Sequence, residues 1–180
     1  MSPAERARAD SGIPPFTEAD VRFVSGMIGH HAQAVLMAGW APSHGASSSV
    51  ATLCERIVVA QNDEIAFMQR WLRKRGLPVP EADASHDMMP GMTMPADHMM
   101  PGMLTAEELT QLDRARGTEY DRLFLTFMIR HHEGAISMVE TLFGARGAAQ
   151  DDAIFKFASD VNADQSTEIA RMSLMLKSLQ

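Results

Sequence analysis

An internal repeat constrains the fold of this chain more than any other feature. The motif Met-Ile-Gly-His-His at positions 27–31 returns as Met-Ile-Arg-His-His at positions 128–132, an offset of 101 residues. The surrounding positions that also match at this offset are Thr17, Glu18, Asp20, Phe23 and Met37 with Thr118, Glu119, Asp121, Phe124 and Met138. A second stretch repeats at an offset of 104 residues: Gln61, Glu64, Ile65 and Met68 match Gln165, Glu168, Ile169 and Met172. The chain therefore contains two copies of one unit.

Each copy has the pattern of a helical hairpin. Apolar residues recur every three to five positions, and proline and glycine follow where the pattern ends. Thr17 and Asp20 have the spacing of a capping box at the start of the first helix, and the serines at 47–49 can cap the second. One hairpin leaves an apolar face uncovered, whereas two hairpins can share a core. The sequence predicts an all-α fold, a four-helix bundle built from two repeated hairpins.

The length of the chain favours a single domain. A chain of 180 residues can bury one core without disulfides or metals and is short for two. We expect a flexible N-terminal segment at 1–16 and one domain at 17–180. A linker rich in methionine and proline, 80–104, then joins the two hairpins. The capping box Thr105-Ala-Glu-Glu108 predicts a short helix directly after this linker.

Charge and composition exclude several classes of protein. The net charge of −7, without a long run of Lys or Arg, argues against nucleic acid as a partner. No run approaches the roughly 18 apolar residues of a membrane span. The single cysteine, Cys54, can form neither an internal disulfide nor a cysteine-rich zinc site, and its apolar helical face predicts burial.

The linker carries one set of candidate metal ligands. Seven of the 15 methionines of the protein lie between positions 88 and 103, accompanied by two histidines. The candidates are His86, Met88, Met89, Met92, Met94, His98, Met99, Met100 and Met103. A flexible apolar contact surface is the alternative, but residues 86–103 contain no Leu, Ile or Phe. Thioether and imidazole ligands suit Cu(I) and Ag(I), so the sequence favours soft-metal capture on an exposed loop.

The helices carry a second set of candidates. These are Met27, His30, His31, Met37, Glu64 and Met68, repeated as Met128, His131, His132, Met138, Glu168 and Met172. On an ideal helix the His and Met positions of each copy fall within an arc of about 120°. Adjacent buried imidazoles cost desolvation free energy unless they are paired or bind a metal. Two interpretations stay open, a metal site and a structural His–Glu network, and both predict that His30 and His131 lie inward and close together.

Sequence motifs for catalysis are missing. Di-iron proteins built on four helices use Glu-x-x-His, which does not occur in this sequence. Gly-x-Ser-x-Gly, His-Glu-x-x-His and phosphate-binding glycine loops are also absent. We therefore predict a binding protein for Cu(I) or Ag(I) and no enzyme. Two alternatives remain: a redox metalloenzyme with an iron or copper centre inside the bundle, and an interaction module whose methionine loop contacts a protein.

The repeated motifs also resemble a known family. The stretch His-His-Ala-Gln-Ala-Val-Leu-Met at 30–37, the pattern Gln-x-x-Glu-Ile-x-x-Met-x-x-Trp-Leu at 61–72 and their second copies resemble the domain of unknown function 305, over about residues 16–179. The resemblance implies a ferritin-like four-helix bundle. It places the His and Met candidates of both copies on the motif positions of the family, with Glu64 and Glu168 beside them.

The same resemblance implies a role and a location. Members with an assigned role are exported copper-binding proteins connected with copper resistance, so copper, as Cu(I) or Cu(II), is the implied metal. The implied location is periplasmic or extracellular, and the polar start of the sequence then implies that an export segment has been removed. A copper transporter or chaperone is the implied kind of partner. The second copy has His132-Glu-Gly134 where the first has His31-Ala-Gln33, so the two halves need not bind equally.

Overall fold

The computed structural model describes residues 14–84 and 100–179, and this part of the chain is helical. The helices in it are α1 (Glu18–Gly39), α2 (Ser48–Lys74), α3 (Ala106–Arg114), α4 (Thr118–Gly144) and α5 (Asp152–Lys177). The described ranges contain no strand, which confirms the all-α class. In the same ranges, no helix has both the length and the apolar character needed to cross a membrane. Most of the predicted N-terminal segment and of the linker lies outside the described residues.

The helix starts follow the predicted capping signals. The side chain of Thr17 accepts a hydrogen bond from the backbone N–H of Asp20, and the carboxylate of Asp20 accepts one from the backbone N–H of Thr17 at 2.7 Å. Thr105 and Glu108 form the same reciprocal pair at the start of α3. Ser47 stands at the cap position of α2, but its side chain makes no capping bond there.

The two helices that carry the His-His motifs pack against each other in opposite directions. α1 packs along α2, α4 packs along α5, and α1 also packs on α4. The carboxylate of Asp20, at the start of α1, accepts a hydrogen bond from the backbone N–H of Ala149, just beyond α4, at 2.7 Å. The carboxylate of Asp121, at the start of α4, accepts one from the backbone N–H of Ser47, just beyond α1, at 3.2 Å. The start of each helix thus meets the end of the other.

The interior consists of two apolar clusters with a polar layer between them. The first cluster includes Met37, Leu53 and Phe124, and the second includes Phe23, Ile65 and Val161. Each of the four long helices contributes one segment to each cluster, and polar residues occupy the positions between these segments. The polar layer, as the term is used below, comprises His30, His31, Gln33, Gln61, Glu64, His131, His132, Gln165 and Glu168.

Cys54 belongs to the first apolar cluster, as its helical face predicted. Its side chain is 1% exposed, and burial raises the pKa of its thiol to about 12. The residue therefore acts as a small apolar side chain, because a thiol with so high a pKa is not ionised at neutral pH.

The end of the predicted linker packs on α1 and α4. Leu104 is buried and Met103 is half-buried, which differs from the wholly exposed loop expected for this stretch. Two glycines allow the close approach: a Cβ on Gly134 of α4 would lie 1.9 Å from the carbonyl oxygen of Pro101, and Gly102 has a φ of +77°. We call residues 100–104 the covering segment.

Candidate metal centre

Four histidines lie at the centre of the polar layer, and all four are fully buried. The rings of His30 and His131 are in van der Waals contact, with centroids 3.8 Å apart and planes at 36°. His31 and His132 lie beside them, with centroid distances of 6.5 Å to His30 and 6.4 Å to His131 respectively. This confirms that the two His-His faces are inward and adjacent.

His31 and His132, the outer histidines of the two pairs, each bond a carboxylate on the other long helix of the same hairpin. Nε2 of His31 lies 2.6 Å from Oε2 of Glu64, and Nε2 of His132 lies 2.6 Å from Oε2 of Glu168. A carboxylate only accepts hydrogen bonds, so Nε2 donates and, in the neutral ring, the lone pair is on Nδ1. This is the arrangement that orients metal-binding histidines in proteins.

The inner histidines differ from each other. Nε2 of His30 donates to the carbonyl oxygen of Pro101 at 2.9 Å, which leaves the lone pair of the neutral ring on Nδ1. Neither ring nitrogen of His131 has a hydrogen-bond partner among the described residues, and the same holds for Nδ1 of His30, His31 and His132. Buried polar atoms without partners are uncommon, and such a group of imidazole nitrogens calls for an explanation.

Burial keeps the two inner rings neutral. The pKa of His30 is lowered to about 3, chiefly by loss of hydration and then by repulsion from His31, while the bond to Pro101 acts in the opposite direction. The pKa of His131 is lowered well below its usual value by burial and then by repulsion from His30. The neutral imidazole is the form that binds metals, so both rings are in the ligating state at neutral pH.

Carboxylates surround the outer edge of this layer. The side chains of Glu64 and Glu168 are about a quarter exposed, at 24% and 26%. The pKa of Asp164 is raised, first by partial burial and then by the negative charges of Glu64, Asp160 and Glu168. A negative edge of this kind raises the local concentration of cations.

The helical methionines are divided between the two apolar clusters. Met27, Met68 and Met138 belong to the second apolar cluster. The corresponding residues of the other cluster are Met128, Met172 and Met37. Each set combines residues from both sequence copies. The contacts that the structure shows for these six residues are apolar packing, and their role as ligands stays a prediction.

The linker candidates are only partly described. Met100 is half-buried against α1, where a Cβ on Gly26 would lie 3.0 Å from its sulfur, and Met103 is half-buried as well. The remaining candidates, His86, Met88, Met89, Met92, Met94, His98 and Met99, lie outside the described residues. Within the ranges 14–84 and 100–179, no three His, Cys, Asp or Glu side chains stand in a geometry that would hold a metal ion without movement.

Sequence reasoning missed several members of the layer. Gln61 and Gln165 are buried, and their side-chain oxygens have no partner in the described part of the chain. Their repetition three residues before Glu64 and Glu168 was the available signal. Gln33 and the carbonyl of Pro101 have no such signal, because the second copy has Gly134 at the position of Gln33 and a backbone carbonyl leaves no trace in the sequence.

These features define an all-helical protein with twinned histidine pairs buried across its centre. The chain belongs to the family described as a domain of unknown function, DUF305, whose profile matches residues 20–176. The comparison with curated proteins gives no significant match.

Three solved structures illustrate the likeness. A DUF305 fragment from Deinococcus radiodurans has 29% identity and a TM-score of 0.75, covering 92% of this chain and 99% of that one. A predicted secreted DUF305 protein from Streptomyces coelicolor has 27% identity and a TM-score of 0.73, covering 89% and 93%. CopM in its Cu(II)-bound form has 27% identity and a TM-score of 0.70, covering 89% and 97%. CopM structures with Cu(I) and with Ag are also similar to this chain.

Proposed function

We propose that this protein binds soft metal ions, Cu(I) or Ag(I), and serves in copper sequestration, resistance or trafficking. The ion is cargo that the protein holds and hands on without turnover of a substrate. The buried histidines form one binding region, and the methionine-rich linker supplies soft thioether ligands for another.

The unpartnered imidazole nitrogens of the polar layer carry this proposal. Three of the four histidines donate Nε2–H to a fixed acceptor, which directs a lone pair on Nδ1 into the protein. A purely structural His–Glu network would satisfy its inner nitrogens as well as its outer ones. Metal ligation accounts for both the orientation and the missing partners.

The comparisons support this choice of cargo. CopM, at 25–27% identity over most of both chains, has structures with Cu(II), Cu(I) and Ag. We further propose that the four long helices form a ferritin-like four-helix bundle of two related hairpins. A periplasmic or extracellular location, with a copper transporter or chaperone as partner, fits a relative predicted to be secreted.

Titration with Ag(I) and Cu(I) under anaerobic conditions tests the proposal. We expect the double variant His30→Gln/His131→Gln to lose the metal that the histidines hold, while a variant with the linker methionines changed to Leu keeps it. His44→Gln is the matched control, because His44 is also buried but is bound to Asp113, away from the polar layer. Unchanged stoichiometry and affinity in the double histidine variant would contradict the proposal.

The outer carboxylates provide a finer test of the same site. Glu64→Gln and Glu168→Gln should each lower the affinity of the histidine site by about 10- to 100-fold, the usual effect of removing an orienting partner. The wild-type protein tests the redox alternative. We expect no sustained oxygen consumption when Fe(II) or Cu(I) is added in air, and turnover above a metal-only control would favour a redox metalloenzyme.

A further inference from the structure

The covering segment contacts one of the two inner histidines, because Nε2 of His30 donates to the carbonyl oxygen of Pro101 at 2.9 Å. It is not helical, and its first residues form a turn in which the N–H of Met103 bonds the carbonyl of Met100 at 3.2 Å. The other groups that bond the histidines, Glu64 and Glu168, lie within the long helices α2 and α5, whose backbones bond along the helix. The covering segment lies outside the helices, so it can move without breaking the backbone hydrogen bonds of a helix.

Gln33 holds the covering segment at its end. The side-chain nitrogen of Gln33 donates to the carbonyl of Leu104 at 3.1 Å, and its side-chain oxygen accepts from the N–H of Leu104 at 2.7 Å. Both bonds are buried, and a fully bonded buried amide holds its partner in one position. One side chain thus fixes the position of the backbone that bonds His30.

The opposite side of the segment rests on a glycine of α4. A Cβ on Gly134 would lie 1.9 Å from the carbonyl oxygen of Pro101 and 2.8 Å from the Cα of Gly102. Any larger residue at this position would push the carbonyl of Pro101 away from its place beside His30. Gly134 and Gln33 occupy equivalent positions in the two sequence copies. The covering segment contacts both residues, so the two copies differ in structure at this position.

The contact of Pro101 has a consequence for the chemistry of His30. Its carbonyl does for His30 what Glu64 and Glu168 do for the outer histidines, since it holds the proton on Nε2 and directs the lone pair of Nδ1 inward. His131 has no such acceptor among the described residues. The orientation of His30 therefore depends on the covering segment being in place.

We propose that the covering segment, positioned by Gln33, is the closing element of the metal centre: it orients His30 and moves aside when a soft metal ion enters or leaves. This inference rests on the proposed function, because it concerns the same histidines. It adds that Gln33 and Gly134, which are not among the proposed ligands, set the rate of metal exchange.

Gln33→Ala and Gly134→Ala test the role of the segment by two independent routes. The first removes the two bonds to Leu104, and the second displaces the carbonyl of Pro101. Gly144→Ala is the matched control for the second, because it lies on the same helix and a Cβ there meets nothing within 4 Å. The protein is loaded with Ag(I), and release to an excess of chelator is followed in time.

We expect release to accelerate by about tenfold or more in both variants, because each loses at least one buried hydrogen bond and one such bond is worth up to about tenfold. The control should release metal at the wild-type rate. Because entry should accelerate as well, the metal content at saturation should stay unchanged in all variants. If Gly134→Ala does not fold, as judged by circular dichroism, Gln33→Ala alone decides.

A spectroscopic measurement separates positioning from general loosening. In the metal-free wild-type protein, ¹⁵N chemical shifts of the His30 ring should show a single tautomer with the proton on Nε2. Gln33→Ala should shift these signals toward a mixture of tautomers, while the ring signals of His31 and His132 keep their positions. Release rates and His30 shifts equal to wild type would overturn the inference. A wild-type protein that holds no metal at its histidines would instead contradict the proposed function.

Discussion

At the scale of single residues, the decisive feature is the contact between two neutral imidazoles. His30 and His131 lie 3.8 Å apart inside the protein, where neither can be hydrated. A proton on either ring would leave a buried charge against a second buried ring, which is why both pKa values are lowered. The inner imidazoles, which we propose as ligands, are thereby kept free of protons over the ordinary range of pH.

We expect the metal-free protein to lose stability when it is acidified below about pH 6.5. The pKa of His30 is about 3 in the folded protein against 6.5 for the unperturbed group. Between these two pH values the unfolded chain binds a proton that the folded protein does not. The free energy of unfolding therefore decreases as the pH is lowered. Above this window both states are neutral, and His30 contributes no pH dependence. At pH 5 the loss from His30 alone is about 2 kcal/mol.

Urea unfolding at several pH values, with a chelator present, measures this loss. His30→Gln, which cannot titrate, should flatten the decline between pH 6.5 and 5. Met37→Leu is a control without a proton, and it should change stability by a similar amount at every pH. A decline of full wild-type steepness in His30→Gln would show that other groups cause it.

At the scale of the helices, an aspartate in the first turn of each His-bearing helix joins the two hairpins. Asp20 accepts from the backbone N–H of Thr17 within its own cap, and also from that of Ala149 in the other hairpin. Asp121, its counterpart in the second copy, accepts from the backbone N–H of Ser47. Both aspartates are nearly fully buried. Asp20 therefore caps α1 and also helps to align the two His-bearing helices, whereas Asp121 makes only the bond between hairpins.

We expect Asp20→Ala to destabilise the protein by about 2–4 kcal/mol, because it removes a cap and leaves the buried N–H of Ala149 without a partner. Thr17→Ala, which removes the capping hydroxyl but keeps the bond to Ala149, should cost about 0.5–2 kcal/mol. Asp160→Ala is an exposed control paired with Lys156, and its effect should stay below about 0.5 kcal/mol. Chemical denaturation gives all three values. Equal losses for Asp20→Ala and Thr17→Ala would mean that the cross-hairpin bond contributes nothing.

At the scale of the whole molecule, a buried ion pair fastens the end of the first hairpin to the second. The guanidinium of Arg75 pairs with the carboxylate of Asp151, and both side chains are 3% exposed. Trp71 donates its indole N–H to the same carboxylate at 2.9 Å, and Arg75 stacks on the indole with 4.0 Å to the ring centroid. Asp151 also caps α5 by accepting from the backbone N–H of Ala153 at 2.9 Å. One carboxylate thus links α2 to the start of α5.

We expect Arg75→Met to lower the free energy of unfolding by about 3–5 kcal/mol, since it leaves the charge of Asp151 buried and unpaired. The double variant Arg75→Met/Asp151→Ser removes that charge and keeps a capping oxygen, so it should recover a large part of the loss. Thermal or denaturant unfolding of the single and double variants measures the coupling. A double variant less stable than Arg75→Met would contradict this account.

Much of the fold follows from short-range signals in the sequence. Apolar periodicity, proline and glycine define the helices, and the repeat predicts that His30 and His131 meet. These features depend on neighbours along one helix, so they can be read without coordinates. The pairing of His31 with Glu64, and of His132 with Glu168, was one of two interpretations left open, because the sequence places both groups on inward faces without setting the distance between them.

The contacts between segments distant in sequence could not be predicted from local patterns. The division of the helical methionines between the two clusters, the bond of Asp20 to Ala149 and the position of the covering segment all depend on how the hairpins are rotated and offset. The offset between the hairpins is set by the packing of their apolar helix faces. It also depends on contacts of loop backbone groups, such as the carbonyl of Pro101, which no pattern of residue types predicts. Local periodicity therefore predicts which residues face the interior, whereas the packing of the two hairpins sets which of those residues are in contact.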